Sequence, residues 1–189
     1  MKRKIGYGED VRYTKLREWK EPGISFNLFA LKQVFLLQGV VIWFVTLPIQ
    51  LSLTISNTDQ FNIFNNIGLI IIILGFFWEA IGDYQLNEFK KDPSNKDKFL
   101  KDGLWSLSRH PNYFGEIILW IGVTLIALPV LSGWQLATLL SPVFVYVLLT
   151  RISGIPMLEN RAQKKWGSDP DYIAYLERTP KLILKKPKA

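Results

Sequence analysis

Three stretches without a charged residue constrain this chain most: 26 residues from Gln33 to Thr58, 19 from Gln60 to Trp78, and 34 between Glu116 and Arg151. A bilayer core about 30 Å thick needs about 20 apolar helical residues to cross it. The first two stretches supply one crossing each. The third would run about 50 Å as one straight helix, and Pro129, Ser132 and Gly133 fall near its middle, so a tight hairpin of two crossings is expected. The expected fold is an all-α polytopic membrane helix bundle forming one domain over 1–189. A lead-in covers 1–31, transmembrane helices cover 33–56, 61–83, 113–131 and 134–155, a loop covers 84–112, and a tail covers 156–189. Pro48 and Pro142 should bend their spans. In the tail, Glu159 to Trp166 and Asp171 to Glu177 suit two short helices, with Asp169 or Ser168 as cap of the second. No internal repeat or low-complexity segment is evident.

Charge sets the expected topology. Of 23 Lys and Arg, eight lie at or before Lys32, six in 84–112 and nine from Arg151 onward; none falls in the turns that would face outward. With four crossings, that pattern puts both termini and the middle loop in the cytoplasm. Met1-Lys2-Arg3-Lys4 leads into polar sequence, so no cleavable signal peptide is expected and the first span would serve as insertion signal. The net charge of +7 is divided among apolar runs, which argues for lipid headgroups and against nucleic acid as the partner. Lys185-Lys186-Pro187-Lys188 fits a headgroup contact. The absence of Cys excludes disulfides and thiolate chemistry, and a lone His argues against a metal site.

The chemistry gathers where the charged loop meets the third span. Pro111 suits the first turn of a helix, after which Asn112 and Glu116 share a face. Glu79 and Asp83 also sit four apart, and like charges at that spacing call for a cation or a hydrogen-bond donor nearby. Glu79, Asp83, Glu116, Arg151 and Glu159 all mark ends of spans on the loop side, together with Lys90, Arg109, His110, Asn112 and Tyr113. Ionisable groups at such depths are costly and point to function. If the helices bundle, these groups line one cavity suited to a phosphate- and ribose-bearing cofactor, cations taking phosphate and carboxylates taking hydroxyls or an amide. An apolar small-molecule substrate would enter from the bilayer.

Gly103-Leu104-Trp105, Arg109-His110-Pro111-Asn112-Tyr113-Phe114-Gly115-Glu116, Trp120 and Gly122 resemble the signature of the steroid 5-alpha-reductase C-terminal superfamily. The likeness is to its bacterial, DUF1295-like branch of uncharacterised membrane proteins. Asp83-Tyr84-Gln85, Ser153-Gly154-Ile155-Pro156, Glu159, Arg161, Trp166 to Pro170 and Tyr172 to Pro180 extend it over almost the whole chain. The resemblance implies a multi-pass protein of the bacterial inner membrane that binds NADPH in a cytosol-facing cavity. It would reduce an electron-poor carbon–carbon double bond of an apolar, enone-like lipid. Asn112 and Glu116 would lie at the nicotinamide end. Asp83, Lys90, Arg109, His110, Arg151 and Glu159 would serve the rest of the cofactor, with Tyr172 and Tyr175 closing over it. Glu116 and Tyr113 are the implied catalytic pair.

Two further readings stand beside this one. Isoprenylcysteine carboxyl methyltransferases share the looser Arg-His-Pro-x-Tyr-x-Gly pattern, which implies S-adenosylmethionine instead of NADPH. The reductases also carry additional helices before the segment matching Gln33–Thr58, and these grip the substrate carbonyl. The resemblance therefore implies an N-terminally truncated enzyme, or a non-catalytic membrane remnant.

Overall fold

The computed structural model describes residues 25, 28–29, 31–55 and 62–185. The lead-in at 1–24, the turn expected between the first two spans and Lys186-Pro187-Lys188 lie outside these residues. The chain divides into two compact units, Met1–Phe44 and Val45–Ala189. Among the described residues there are helices and turns and no strand. Four helical runs are long and apolar enough to cross a membrane: Leu37–Thr54, Ile63–Lys91, Pro111–Val130 and Gly133–Trp166. The protein is an integral membrane protein built as an all-α bundle.

A π-helical turn at Leu31–Leu36 leads into α1 (Leu37–Thr54), which carries Pro48 inside it. The second helix, α2, runs Ile63–Lys91. Its start is fixed by a reciprocal cap. Asn62 Oδ1 accepts from the amides of Phe64 and Asn65, and Asn65 Oδ1 accepts from Asn62 N. Its end lies eight residues beyond the expected 83, where Asp92-Pro93 stops it. At 29 residues α2 is about 44 Å long, so its charged last turns extend past a bilayer core.

The short helix α3 (Leu104–Leu107) precedes α4 (Pro111–Ala127), which tightens into a 3-10 turn at Leu128–Val130. The return run changes character along its length. A 3-10 stretch covers Gly133–Leu140, α5 covers Ser141–Val147 with Pro142 in its first turn, and a π-helical stretch covers Leu148–Ile152. Helix α6 (Gly154–Trp166) then continues beyond the expected span end at 155. The tail helix α7 is Pro170–Arg178, and Asp169 caps it by accepting from Asp171 N.

Helices α2 and α4 form the tightest pair. Gly68, Gly75 and Gly82 recur every seven residues on α2, and Gly115 and Gly122 do so on α4. Seven residues are close to two turns, so each series keeps one face. A Cβ on Gly75 would lie 2.5 Å from Leu119 N, and one on Gly115 would lie 2.5 Å from Glu79 N. The backbones therefore touch where side chains would normally separate them. That contact fixes the register of Asp83 on α2 against Asn112 on α4.

Candidate functional site

The loop before α4 is pinned on both sides. Toward α2, Trp105 Nε1 donates to Gly82 O at 3.1 Å, and Leu104 N donates to Gln85 Oε1 at 3.0 Å. Gln85 packs against Gly103, whose φ of 61° suits glycine. Toward the tail, Arg109 N donates to Pro180 O, Ser108 Oγ to Leu182 O, and Lys185 N to Leu107 O. The tail thus runs antiparallel to the residues that present Arg109 and His110. Pro111 occupies the first helical position of α4, as its missing N–H allows.

Arg109 and His110 converge on one carboxylate. Glu159 Oε1 lies 2.9 Å from Arg109 Nη1 and 3.1 Å from His110 Nε2, and Oε2 lies 3.6 Å from Lys181 Nζ. The His110 ring stacks on Tyr113 at 5.8 Å. Arg109 Nε and His110 Nδ1 are buried and have no hydrogen-bond partner.

Beside this hub lies a cavity of about 500 Å³, within the range of small-molecule sites. Its charged lining is lopsided: Lys90, Lys96, Lys98, Arg109 and Lys165 face a single carboxylate, Glu159. Much of its apolar wall is aromatic, from Phe99, Trp105, Trp166, Tyr172 and Tyr175. Burial pushes the Tyr175 phenol well above its usual range, with the Arg109 guanidinium only partly offsetting it. Burial also raises Tyr172, and the Glu159 carboxylate adds to that. Both phenols are neutral near pH 7, and Tyr175 donates to Trp105 O at 2.8 Å.

Six of the ten residues expected at the cofactor line this cavity: Lys90, Arg109, His110, Glu159, Tyr172 and Tyr175. Asp83, Asn112 and Glu116 do not; with Glu79 and Tyr113 they form a second group. Asn112 Nδ2 donates to Asp83 Oδ1 at 2.9 Å, which is the donor that the Glu79/Asp83 spacing calls for, while Asn112 Oδ1 is buried without a partner. Glu79, Asp83 and Glu116 lie close enough to act on one another electrostatically, and Tyr113 feels Glu116 and Asp83. Asp83 and Lys90 are seven residues apart on α2, so this group lies about 10 Å along the helix from the cavity's Lys90. His110, in the cavity and stacked on Tyr113, joins the two groups. Arg151 sits exposed in the π-helical stretch and belongs to neither. Among the described residues no cluster suits a metal ion.

Sequence reasoning missed Phe99, Trp105, Trp166, Lys96, Lys98 and Lys165 as cavity residues. The interleaving Lys98-Phe99 and Lys165-Trp166 was the available signal.

The profile of the family described as Protein of unknown function (DUF1295) matches residues 1–179. The chain belongs to the DUF1295 family. Two relatives bear on what a DUF1295 chain resembles. A probable O-methyltransferase, ustE, of Ustilaginoidea virens is 37% identical over 70 residues, covering 37% of this chain and 25% of that protein. An uncharacterized protein of Schizosaccharomyces pombe is 25% identical over 175 residues, covering 80% of this chain and 51% of that protein. The chain thus spans about a quarter and about half of these relatives' lengths. No solved structure matches.

Proposed function

We propose that this DUF1295 chain forms the cofactor-binding part of an NADPH-dependent reductase of an electron-poor carbon–carbon double bond in an apolar lipid. The observation that carries the reading is the cavity's charge. Five basic side chains face one carboxylate, and that carboxylate is already taken up by Arg109, His110 and Lys181. A ligand matching this lining is polyanionic and bears flat rings, as NADPH does. S-adenosylmethionine, with its sulfonium and zwitterionic amino acid, would bring positive charge to an already basic wall.

In this reading Lys90 and Arg109 hold phosphate, and the aromatic wall excludes water from the nucleotide. The reduced nicotinamide supplies the hydride when bound. Asn112 and Glu116 serve the polar corner deeper along α4. The Tyr113 hydroxyl donates to the substrate carbonyl oxygen, which lowers the cost of the charge developing there. Glu116 handles the proton that completes the reduction. The four apolar helical runs give the substrate its route from the bilayer.

The methyltransferase reading keeps one specific support, the probable O-methyltransferase among the relatives. Calorimetry on the chain purified in detergent separates the two. NADPH should bind, and bind more weakly as salt rises, because the contact is ionic. Binding of S-adenosylmethionine with no response to NADPH would reverse the assignment.

A further inference from the structure

The cations of the cavity are not evenly spread. Arg109 is held at Glu159, while Lys165 lies six residues farther along α6, about 9 Å away along the axis. Lys165 is occupied as well: its Nζ donates to Lys96 O at 2.7 Å, sits 3.2 Å from the Asp97 carboxylate, and lies 4.8 Å from the Trp166 ring centre. Trp166 Nε1 donates to Asp97 O at 2.7 Å. These bonds tie the loop carrying Lys96, Lys98 and Phe99 to the end of α6. Lys96 and Lys98 themselves enter no salt bridge among the described residues, although both line the cavity.

Next to these two lysines stand the rings. Phe99 and Trp166 are half-buried and meet edge-on at 5.8 Å. Tyr172 and Tyr175 are buried behind them, 5.1 and 5.4 Å from Phe99. The cavity therefore has an aromatic end with two ammonium groups that form no salt bridge among the described residues, distinct from the Arg109 end.

We propose that this end is a subsite for an adenosine bearing a phosphate on its ribose, with Phe99 and Trp166 taking the base and Lys96 and Lys98 taking that phosphate. The proposal rests on the nucleotide reading above and adds to it the residues that discriminate a phosphorylated from an unphosphorylated dinucleotide. A flat base finds packed rings that cost little entropy to meet. A phosphate finds two donors with no carboxylate of the described residues competing at salt-bridge distance. Arg109 is left for a second phosphate elsewhere in the ligand.

The test is calorimetry on the full chain in detergent, with adenosine 2′,5′-bisphosphate against AMP and NADPH against NADH. Each charge-assisted contact is worth roughly tenfold in affinity. The bisphosphate should therefore bind at least about tenfold tighter than AMP, and NADPH should exceed NADH by a similar ratio. The double variant Lys96→Gln/Lys98→Gln should erase both ratios while AMP and NADH bind as before. Phe99→Leu, a milder change than removing Trp166, should weaken AMP and the bisphosphate in parallel and leave their ratio intact. Equal binding of NADPH and NADH by the unaltered chain overturns the subsite and leaves the broader reading of a nicotinamide-dinucleotide reductase standing. So does a ratio that survives the double variant. Binding of S-adenosylmethionine alone overturns both.

Discussion

Glu159 is the residue on which the loop side of the molecule is balanced. Its carboxylate partners Arg109 and His110, whose side chains are 14% and 7% exposed, so neither has water in its place. Removing it leaves two buried polar groups unpaired, which costs more than the net gain of forming the pair. Glu159→Ala should lower stability by about 1.5–3 kcal/mol, read as thermal unfolding in detergent. Glu159→Gln, which keeps an acceptor for His110 and loses the ion pair, should cost less. Equal melting of all three proteins would mean that the hub holds nothing together. The tyrosines give a second prediction. Burial raises Tyr175 and Tyr172, so folded and unfolded states hold the same protons below the unfolded value of about 10. Above it the unfolded chain ionises first. Stability should be level up to about pH 10 and fall beyond it. Tyr175→Phe should lose about 1 kcal/mol at pH 8, from its bond to Trp105 O, and show a shallower alkaline fall. Melts from pH 8 to 11 decide it.

At the scale of elements, the α2–α4 pair positions everything deeper than the cavity. Gly115 is its most exacting point, since a Cβ there would sit 2.5 Å from Glu79 N and 2.7 Å from Gly75 O. Both are backbone atoms and neither can swing away. Gly115→Ala should destabilise by about 1–3 kcal/mol through overpacking and disturb the Asn112–Asp83 bond one turn away. Gly39→Ala, where a Cβ meets nothing within 4 Å, should be neutral or slightly stabilising. Similar unfolding midpoints for the two variants would contradict the close contact. This pair also marks where sequence reasoning stopped. The helices were legible because uncharged runs of crossing length have few alternatives. The extension of α2 to Lys91 was not, because Glu88, Lys90 and Lys91 look like loop when a span is defined by its lack of charge. The seven-residue glycine series was present in the sequence, but single glycines in an apolar run carry no pattern until the partner helix is known. Likewise Arg109, His110 and Glu159 stood out as charges at span ends. Phe99 and Trp166 lie 67 positions apart and meet only because Lys165 and Trp166 bond to the carbonyls of Lys96 and Asp97.

For the molecule as a whole, those same bonds restrict the topology. The loop after α2 touches the end of α6, through Lys165 to Lys96 O, and the tail helix α7, through Lys101 to Asp171 at 3.4 Å, so all three share one side of the membrane. Between them the chain must cross an even number of times, and the runs Pro111–Val130 and Gly133–Trp166 supply two. The 3-10 stretch that opens the second of these runs carries Trp134, 76% exposed, where an aromatic side chain suits the far interface. Because the sequence contains no cysteine, a single introduced thiol reports its own side without interference. Lys98→Cys and Trp134→Cys, probed in sealed vesicles with a membrane-impermeant thiol reagent, should label from opposite faces. Lys98→Cys should react on the side where the basic residues collect. Lys101→Cys and Asp171→Cys should label together from that same face. Labelling of Trp134→Cys and Lys98→Cys from one side would mean that the hairpin enters the bilayer and returns without crossing. The cavity would then lose the membrane frame on which the proposed lipid substrate depends.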